Sequence, residues 1–331
     1  MKAIAKTQIS ELLNQVAREY NVLVPVAGAD KYAPYTPGIE LKLNSRTLLP
    51  PKDVFFPQTE KMYKFSTDGM EGSLDSLLTT PKPQLLFGIR PCDVKSIHCL
   101  DHVFLSKGFV DEFYAAKRDN TFLISIGCNG PAESTCFCQS MGINPQDTDE
   151  VDVHLFDLGS QYGVVPKSAK GEAFVAKYAA LFAETTEEVP AVAEFTLNLE
   201  LDGVSEKLAQ MFEHPLWEEV SRKCIGCGAC TYLCPTCHCF DVSARVAGTQ
   251  GFRFRCWDSC MFSDYTRMAG GHNPRPSKKE RVRNRFLHKL QYFPERYGDS
   301  LCTGCGRCLS KCPVNMDITN IIKQVREVDL V

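Results

Sequence analysis

The chain is predicted to be α+β, with an N-terminal α/β domain over residues 1–213 and a small cysteine-built domain over residues 214–331. Three observations predict this. Short apolar runs at 85–89 and 121–126 alternate with helical periodicity, as the buried strands of an open sheet do. The pattern C-x2-C-x2-C-x3-C-P occurs twice near the C-terminus, first as Cys224, Cys227, Cys230, Cys234 and Pro235, then as Cys302, Cys305, Cys308, Cys312 and Pro313. Between the two copies lies an insertion, residues 240–300, which contains a helical stretch.

In chain order, residues 1–20 are expected to form one amphipathic helix with Ile9, Leu12, Leu13 and Val16 on a single side. Residues 21–70 are rich in proline and turn formers, and Phe55 and Phe56 are expected to pack an extended segment onto a core. The run 85–89 is a strand, after which Asp93 is placed to cap a helix carrying Val94, Ile97, Leu100 and Phe104. The run 121–126 is a second strand of the same kind, and 151–157 with 162–166 form a strand pair turning near Gly159. Helices are expected near 172–184 and 203–213, separated by an acidic, proline-containing linker. A basic helix is expected over 278–291, its charges on a solvated face that also balances the cluster thiolates, the alternative being a docking surface for an acidic redox partner.

Composition excludes several classes. A net charge of −3 makes no case for a nucleic-acid partner. No apolar run approaches the roughly 18 residues of a membrane span. The N-terminus lacks an apolar signal core, so seventeen cysteines imply a reducing cytoplasm in which thiolates hold metal, in an anaerobic setting.

The repeated run is the ligand pattern of bacterial ferredoxins that carry two [4Fe–4S] clusters, in which the fourth cysteine of each run serves the other cluster. One cluster is therefore assigned to Cys224, Cys227, Cys230 and Cys312, the other to Cys302, Cys305, Cys308 and Cys234. Zinc needs only two C-x2-C pairs and would leave the third cysteine and the Cys-Pro step unexplained. The match of 234–238 to C-x-x-C-H, a haem attachment pattern, is rejected because Cys234 already belongs to the ferredoxin run. The C-terminal domain is thus expected to be ferredoxin-like, with a long, partly helical insertion.

Further cysteines stand at functional positions. Cys92 and Cys128 follow the two predicted strands, where open α/β sheets bind ligands, and Cys136 and Cys138 come soon after. These four are a candidate third [4Fe–4S] site, the alternative being buried free thiols. Cys237, Cys239 and Cys260 in the insertion are candidates for a fourth, completed by Cys256 or a histidine such as His272, or for thiols beside the clusters or in the core. Cys99 has no partner pattern and is read as structural.

The chain resembles the iron–sulfur electron-transfer component of anaerobic sulfite reductase and the beta subunit of sulfhydrogenase-type nickel–iron hydrogenases. The resemblance rests on Arg90-Pro-Cys-Asp93, Gly127-Cys-Asn129, the run 136–142, His214-Pro-Leu-Trp217, the run 234–239, Trp257-Asp-Ser-Cys260, Ala269-Gly-Gly-His272 and both ferredoxin runs. It implies metal at Cys92, Cys128, Cys136, Cys138, Cys237, Cys239 and Cys260, and leaves Cys99 and Cys256 outside the ligand motifs. It also implies partners: a flavoprotein that oxidises NADH or NADPH, and a catalytic subunit with sirohaem, nickel–iron or heterodisulfide reductase chemistry.

The expected function is a relay of single electrons through [4Fe–4S] clusters in a multisubunit oxidoreductase. No substrate-binding triad, phosphate loop or dinucleotide fingerprint stands in the chain, and no flavin is expected in it. Two other classes stay open. A redox enzyme in its own right would show bound flavin or a cluster with one non-cysteine ligand. A scaffold would hold clusters that the flavoprotein fails to reduce.

Overall fold

A computed structural model describes residues 1–80 and 82–329. The chain opens with a short strand, β1 (Lys2–Ala5), and only then enters α1 (Ile9–Val16). The helix expected over residues 1–20 is therefore only eight residues long, since residues 2–5 pair along a sheet instead. The expected face holds: Ile9, Leu12, Leu13 and Val16 are all buried.

Next come β2 (Asn21–Val26), β3 (Lys31–Pro34), β4 (Thr59–Asp68), β5 (Glu71–Ser76) and β6 (Gln84–Ile89). After β6 run α2 (Pro91–Leu105), α3 (Glu112–Asp119), β7 (Thr121–Ile126), β8 (Val153–Asp157) and β9 (Gln161–Pro166). Then α4 (Ala169–Lys177) leads to β10 (Ala183–Glu184). These strands, without β4 and β5, form one eight-stranded sheet in the order β10-β1-β9-β8-β7-β6-β2-β3. Its centre, β2, β6, β7 and β8, is parallel, and its flanks are antiparallel.

A parallel sheet needs cover on both faces, so its strands read as continuous apolar runs. Leu85 and Phe87 point into one core, with α1 and α4, while Leu86 and Ile89 point into the other, with α2 and α3. A register shift at Gly88 lets Ile89 reach the second face. Phe55 and Phe56 complete that second core, as expected.

Asp93 does not cap α2, which begins two residues earlier at Pro91. Proline at a first helical position needs no donor and presets the helical φ. Asp93 is instead fully buried against an arginine of the C-terminal part.

The helix expected near 172–184 is α4, which ends at Lys177 because residues 183–184 pair with β1 instead, and the one near 203–213 is α5 (Val204–Gln210). The C-terminal part continues with α6 (Leu216–Ser221), α7 (Ala229–Tyr232), β11 (Phe240–Ala247), β12 (Gln250–Trp257) and α8 (Lys278–Leu287). After one π-turn come α9 (Phe293–Tyr297), α10 (Arg307–Ser310) and α11 (Ile318–Glu327). Trp217, Leu208, Phe286, Ile318 and Ile322 fill its core.

The insertion opens as a hairpin, β11–β12, which joins β4 and β5 in a separate antiparallel sheet ordered β11-β12-β4-β5. At its base buried Arg255 pairs with Glu60 of β4 and with Asp111. The basic stretch is not a solvated face: Arg281, Arg283, Arg285 and Lys289 are all buried.

Candidate metal centres

The first cysteine run wraps a cavity. Cys224, Cys227 and Cys230 line it together with Cys312 of the second run, and Met261, Val282, Met316 and Arg285 complete the wall. Gly226 and Gly228 hold φ of +71° and +74°, so the chain can turn sharply between successive cysteines. The amide of Gly226 donates to Cys224 Sγ at 3.4 Å, and that of Met316 to Cys312 Sγ at 3.1 Å. Cys227 is exposed.

The second run mirrors this ligand crossing. The thiol of Cys308 has Cys302, Cys234 and Cys305 as electrostatic neighbours, so Cys234 of the first run stands among the second run's cysteines. Burial pushes Cys302 up to about 11. Lys289 Nζ donates to Cys234 Sγ at 3.1 Å, to Thr236 Oγ1 at 3.1 Å and to the Leu301 carbonyl at 3.3 Å. Burial opposes the charge on Lys289, but Cys234, Cys237 and Cys302 outweigh it and hold the ammonium above its ordinary range.

The N-terminal cysteines also converge. Cys92 stands in the first turn of α2, and Cys128 follows β7. Cys138 has Cys128 and Cys136 as electrostatic neighbours, and Cys92 has Cys305 and Cys138. Burial pushes Cys138 up to about 12. Arg90 braces the site, donating to the Gly127 carbonyl at 3.0 Å and approaching Cys128 Sγ at 3.8 Å.

This third group abuts the second. Cys136 Sγ lies 3.9 Å from the carbonyl of Cys305, and the amide of Phe137 donates to the Gly304 carbonyl at 2.8 Å. The backbones nearly touch: a Cβ on Gly304 would lie 2.6 Å from the Cys138 backbone, and one on Gly306 would run into the Thr135 carbonyl oxygen. Arg307 forks onto Asp93 at 2.6 and 3.0 Å, with both side chains fully buried, and donates to the Thr47 carbonyl at 2.9 Å.

Of the insertion cysteines, Cys239 is hydrogen-bonded to Cys260, which lowers the Cys239 thiol against the burial that would raise it. Cys237 is hydrogen-bonded to Cys234, raising its own thiol and lowering that of Cys234. Cys256 lies on β12 beside Asp241 and Asp258, apart from these pairs. Cys99 faces Phe293 and Leu301, with its thiol pushed up to about 12 by burial.

Sequence reasoning missed one buried cation beside the cysteines, Lys52, and did not foresee the depth of burial of two others, Lys289 and Arg285. Lys52, in the proline-rich segment, donates to the Cys237 carbonyl at 3.0 Å and sits 3.9 Å over the ring of Trp257. Lys289 reaches Cys234, as described. Arg285 is the most telling: Nε, Nη1 and Nη2 are all buried without a hydrogen-bond partner in the protein. Its strongest electrostatic partners are the sulfurs of Cys230 and Cys308, one from each run. A buried guanidinium left bare carries a large desolvation penalty. Anionic sulfur centres held by the two thiol sets would satisfy it, so the residues present fit [4Fe–4S] groups. The signal for Arg285 and Lys289 in the sequence was the basic run itself; Lys52 lies outside it and had none.

Comparison with known proteins agrees with this geometry. Residues 223–316 match the family described as a 4Fe-4S dicluster domain. Over 300 residues the chain is 34% identical to sulfhydrogenase 2 subunit beta of Pyrococcus furiosus, covering 87% of this chain and 86% of that one. No solved structure matches. No helix among the described residues is long and apolar enough to cross a membrane.

Proposed function

Because the chain belongs to the sulfhydrogenase beta-subunit family of iron–sulfur electron-transfer proteins, we propose that it relays single electrons between two other subunits. One is a flavoprotein that oxidises NADH or NADPH with FAD and iron–sulfur groups of its own. The other is a catalytic subunit with sirohaem, nickel–iron or heterodisulfide reductase chemistry. The assembly works in the cytoplasm.

A [4Fe–4S] cluster supplies a reversible one-electron couple whose potential follows burial, charge and hydrogen bonds to sulfur. The residues of this chain supply the rest. Cys224, Cys227, Cys230 and Cys312 hold the first cluster, Cys302, Cys305, Cys308 and Cys234 the second, and Cys92, Cys128, Cys136 and Cys138 a third. Arg285 and Lys289 offset the negative charge that these ligands concentrate. Cys239 and Cys260 stand beside the first two sets as a hydrogen-bonded thiol pair, with Cys237 on Cys234.

One observation carries the reading: the three thiol groups are contiguous. Cys305 belongs to the second set and packs with Cys92, Cys136 and Cys138 of the third, while Cys234 and Cys312 are exchanged between the first two. A line of redox centres running from an exposed end at Cys227 into the α/β domain suits a wire better than an isolated catalytic pocket.

Iron and sulfide quantification on the anaerobically purified chain tests the reading. About twelve irons are expected, and replacing Cys136 and Cys138 together with serine should remove about four. About eight irons, unchanged in the double variant, would remove the third centre from the relay.

A further inference from the structure

On the surface of α2, outside the three cysteine groups, three side chains point their donor atoms at one spot. His98 and His102 are one turn apart and therefore share a face of the helix. Asp299 comes from the loop just ahead of Cys302. Asp299 Oδ2 lies 3.7 Å from His98 Nε2 and 3.4 Å from His102 Nε2, and one ligand atom from each of the three falls within 4.8 Å of the others. Around a tetrahedral zinc ion with bonds of about 2.0–2.1 Å, neighbouring ligand atoms stand roughly 3.3–3.4 Å apart. The three donors are thus close to that spacing already.

The surroundings match a metal site as well. His102 Nε2 is buried without a hydrogen-bond partner, although it is the atom that faces the cluster. The other nitrogen of His98, Nδ1, lies 3.7 Å from Glu150, in the place of the carboxylate that commonly orients a metal-binding imidazole. Lys95 donates to Asp299 Oδ1 at 2.9 Å, which leaves Oδ2 facing the two imidazoles. Tyr297 stacks on the ring of His102 with centroids 5.2 Å apart and fixes its tilt.

We propose that His98, His102 and Asp299 bind one divalent transition-metal ion of the zinc class, with Glu150 orienting His98. Two imidazoles and a carboxylate suit such an ion better than magnesium or calcium, which take oxygen ligands. The site joins α2, which carries Cys92, to the loop that leads into Cys302, so the ion clamps the α/β domain onto the second cysteine run. This holds whether or not the chain is an electron relay.

The experiment is an anaerobic titration of the cluster-loaded full chain with zinc chloride, followed by calorimetry and by zinc X-ray absorption. One equivalent bound, with only nitrogen and oxygen neighbours, is expected. His98→Gln and His102→Gln should each abolish it with iron content unchanged, and Glu150→Gln should weaken it roughly 10- to 100-fold. His98 is more than a third exposed, so His98→Gln keeps the test decisive if His102→Gln misfolds. No binding, sulfur among the zinc neighbours, or binding that survives His98→Gln would each overturn the site.

Discussion

In the first cysteine run the residue after the leading cysteine is Ile225, 62% exposed, and the residue before the third is Ala229. The equivalent residues of the second run are Thr303, 3% exposed, and Arg307, which is fully buried on Asp93. The ligand spacing is the same and the surroundings are opposite. One loop presents Cys227 to solvent, and the other is locked into the α/β domain through Gly304, Gly306 and Arg307. Spacing encodes what the loop can hold, and the residues between the cysteines encode where it docks. On the proposed relay, the open loop is where electrons would enter or leave by way of a partner; the docked loop packs against the segment that carries Cys136 and Cys138.

The largest test of this contrast is the buried ion pair. Removing one partner of such a pair strands the other charge and costs about 3–5 kcal/mol. Asp93→Ala should therefore lower stability by that amount in anaerobic denaturant unfolding. Ala229→Ser, at the matching position of the open loop, should change it by about 0.5 kcal/mol or less. Replacing both members, Asp93→Leu with Arg307→Met, should recover much of the loss. Equal costs for Asp93→Ala and Ala229→Ser would break the comparison.

A narrower test uses two glycines with nearly the same backbone, Gly226 at φ +71° and Gly306 at φ +73°. Alanine at either pays left-handed strain of about 1–2 kcal/mol. At Gly226 nothing else opposes it, since the nearest atom to a new Cβ is the Met261 carbonyl oxygen at 3.8 Å. At Gly306 the new carbon would collide with the Thr135 carbonyl oxygen, so the loop must lift off the segment that carries Cys136. Gly306→Ala should cost more than Gly226→Ala and also lower the iron retained after gel filtration. Matching losses in the two variants would mean that the docking contact contributes nothing.

How much of this was legible beforehand follows the same division. The apolar runs at 85–89 and 121–126 identified the parallel core, because a strand buried on both faces is written in consecutive residues. The cysteine spacing was equally plain, and the structure gathers Cys92, Cys128, Cys136 and Cys138 at the ends of the expected strands. What stayed hidden depended on contacts between residues far apart in sequence. The β11–β12 hairpin reaches back to β4, and Asp93, which reads locally as a helix cap, is claimed by Arg307. The basic run could not reveal its own burial, since solvated and buried arginines share one letter and differ only in what the rest of the chain builds around them.

The finest distinction between the two loops concerns a residue they share. Arg285 faces Cys230 of the open loop and Cys308 of the docked one, with no hydrogen bond to the protein from any of its three nitrogens. Lys289 faces Cys234 and Cys302, both in the second set. A cation stabilises the reduced, more negative state of a nearby cluster, so removing it should make the potential more negative. A unit charge several ångströms away in partly polar protein is worth about 1.4 kcal/mol, which for one electron is about 59 mV. Arg285→Met should therefore lower the potentials of both ferredoxin-type centres by roughly that amount in an EPR-monitored redox titration. Lys289→Met should lower only the one held by Cys302, Cys305, Cys308 and Cys234. Arg285→Lys, which keeps the charge, should restore most of the shift and so separate electrostatics from packing. If Arg285→Met moves a single potential, the guanidinium belongs to one loop alone, and the electrostatic link between the open and docked centres has to be sought in the exchanged cysteines, Cys234 and Cys312.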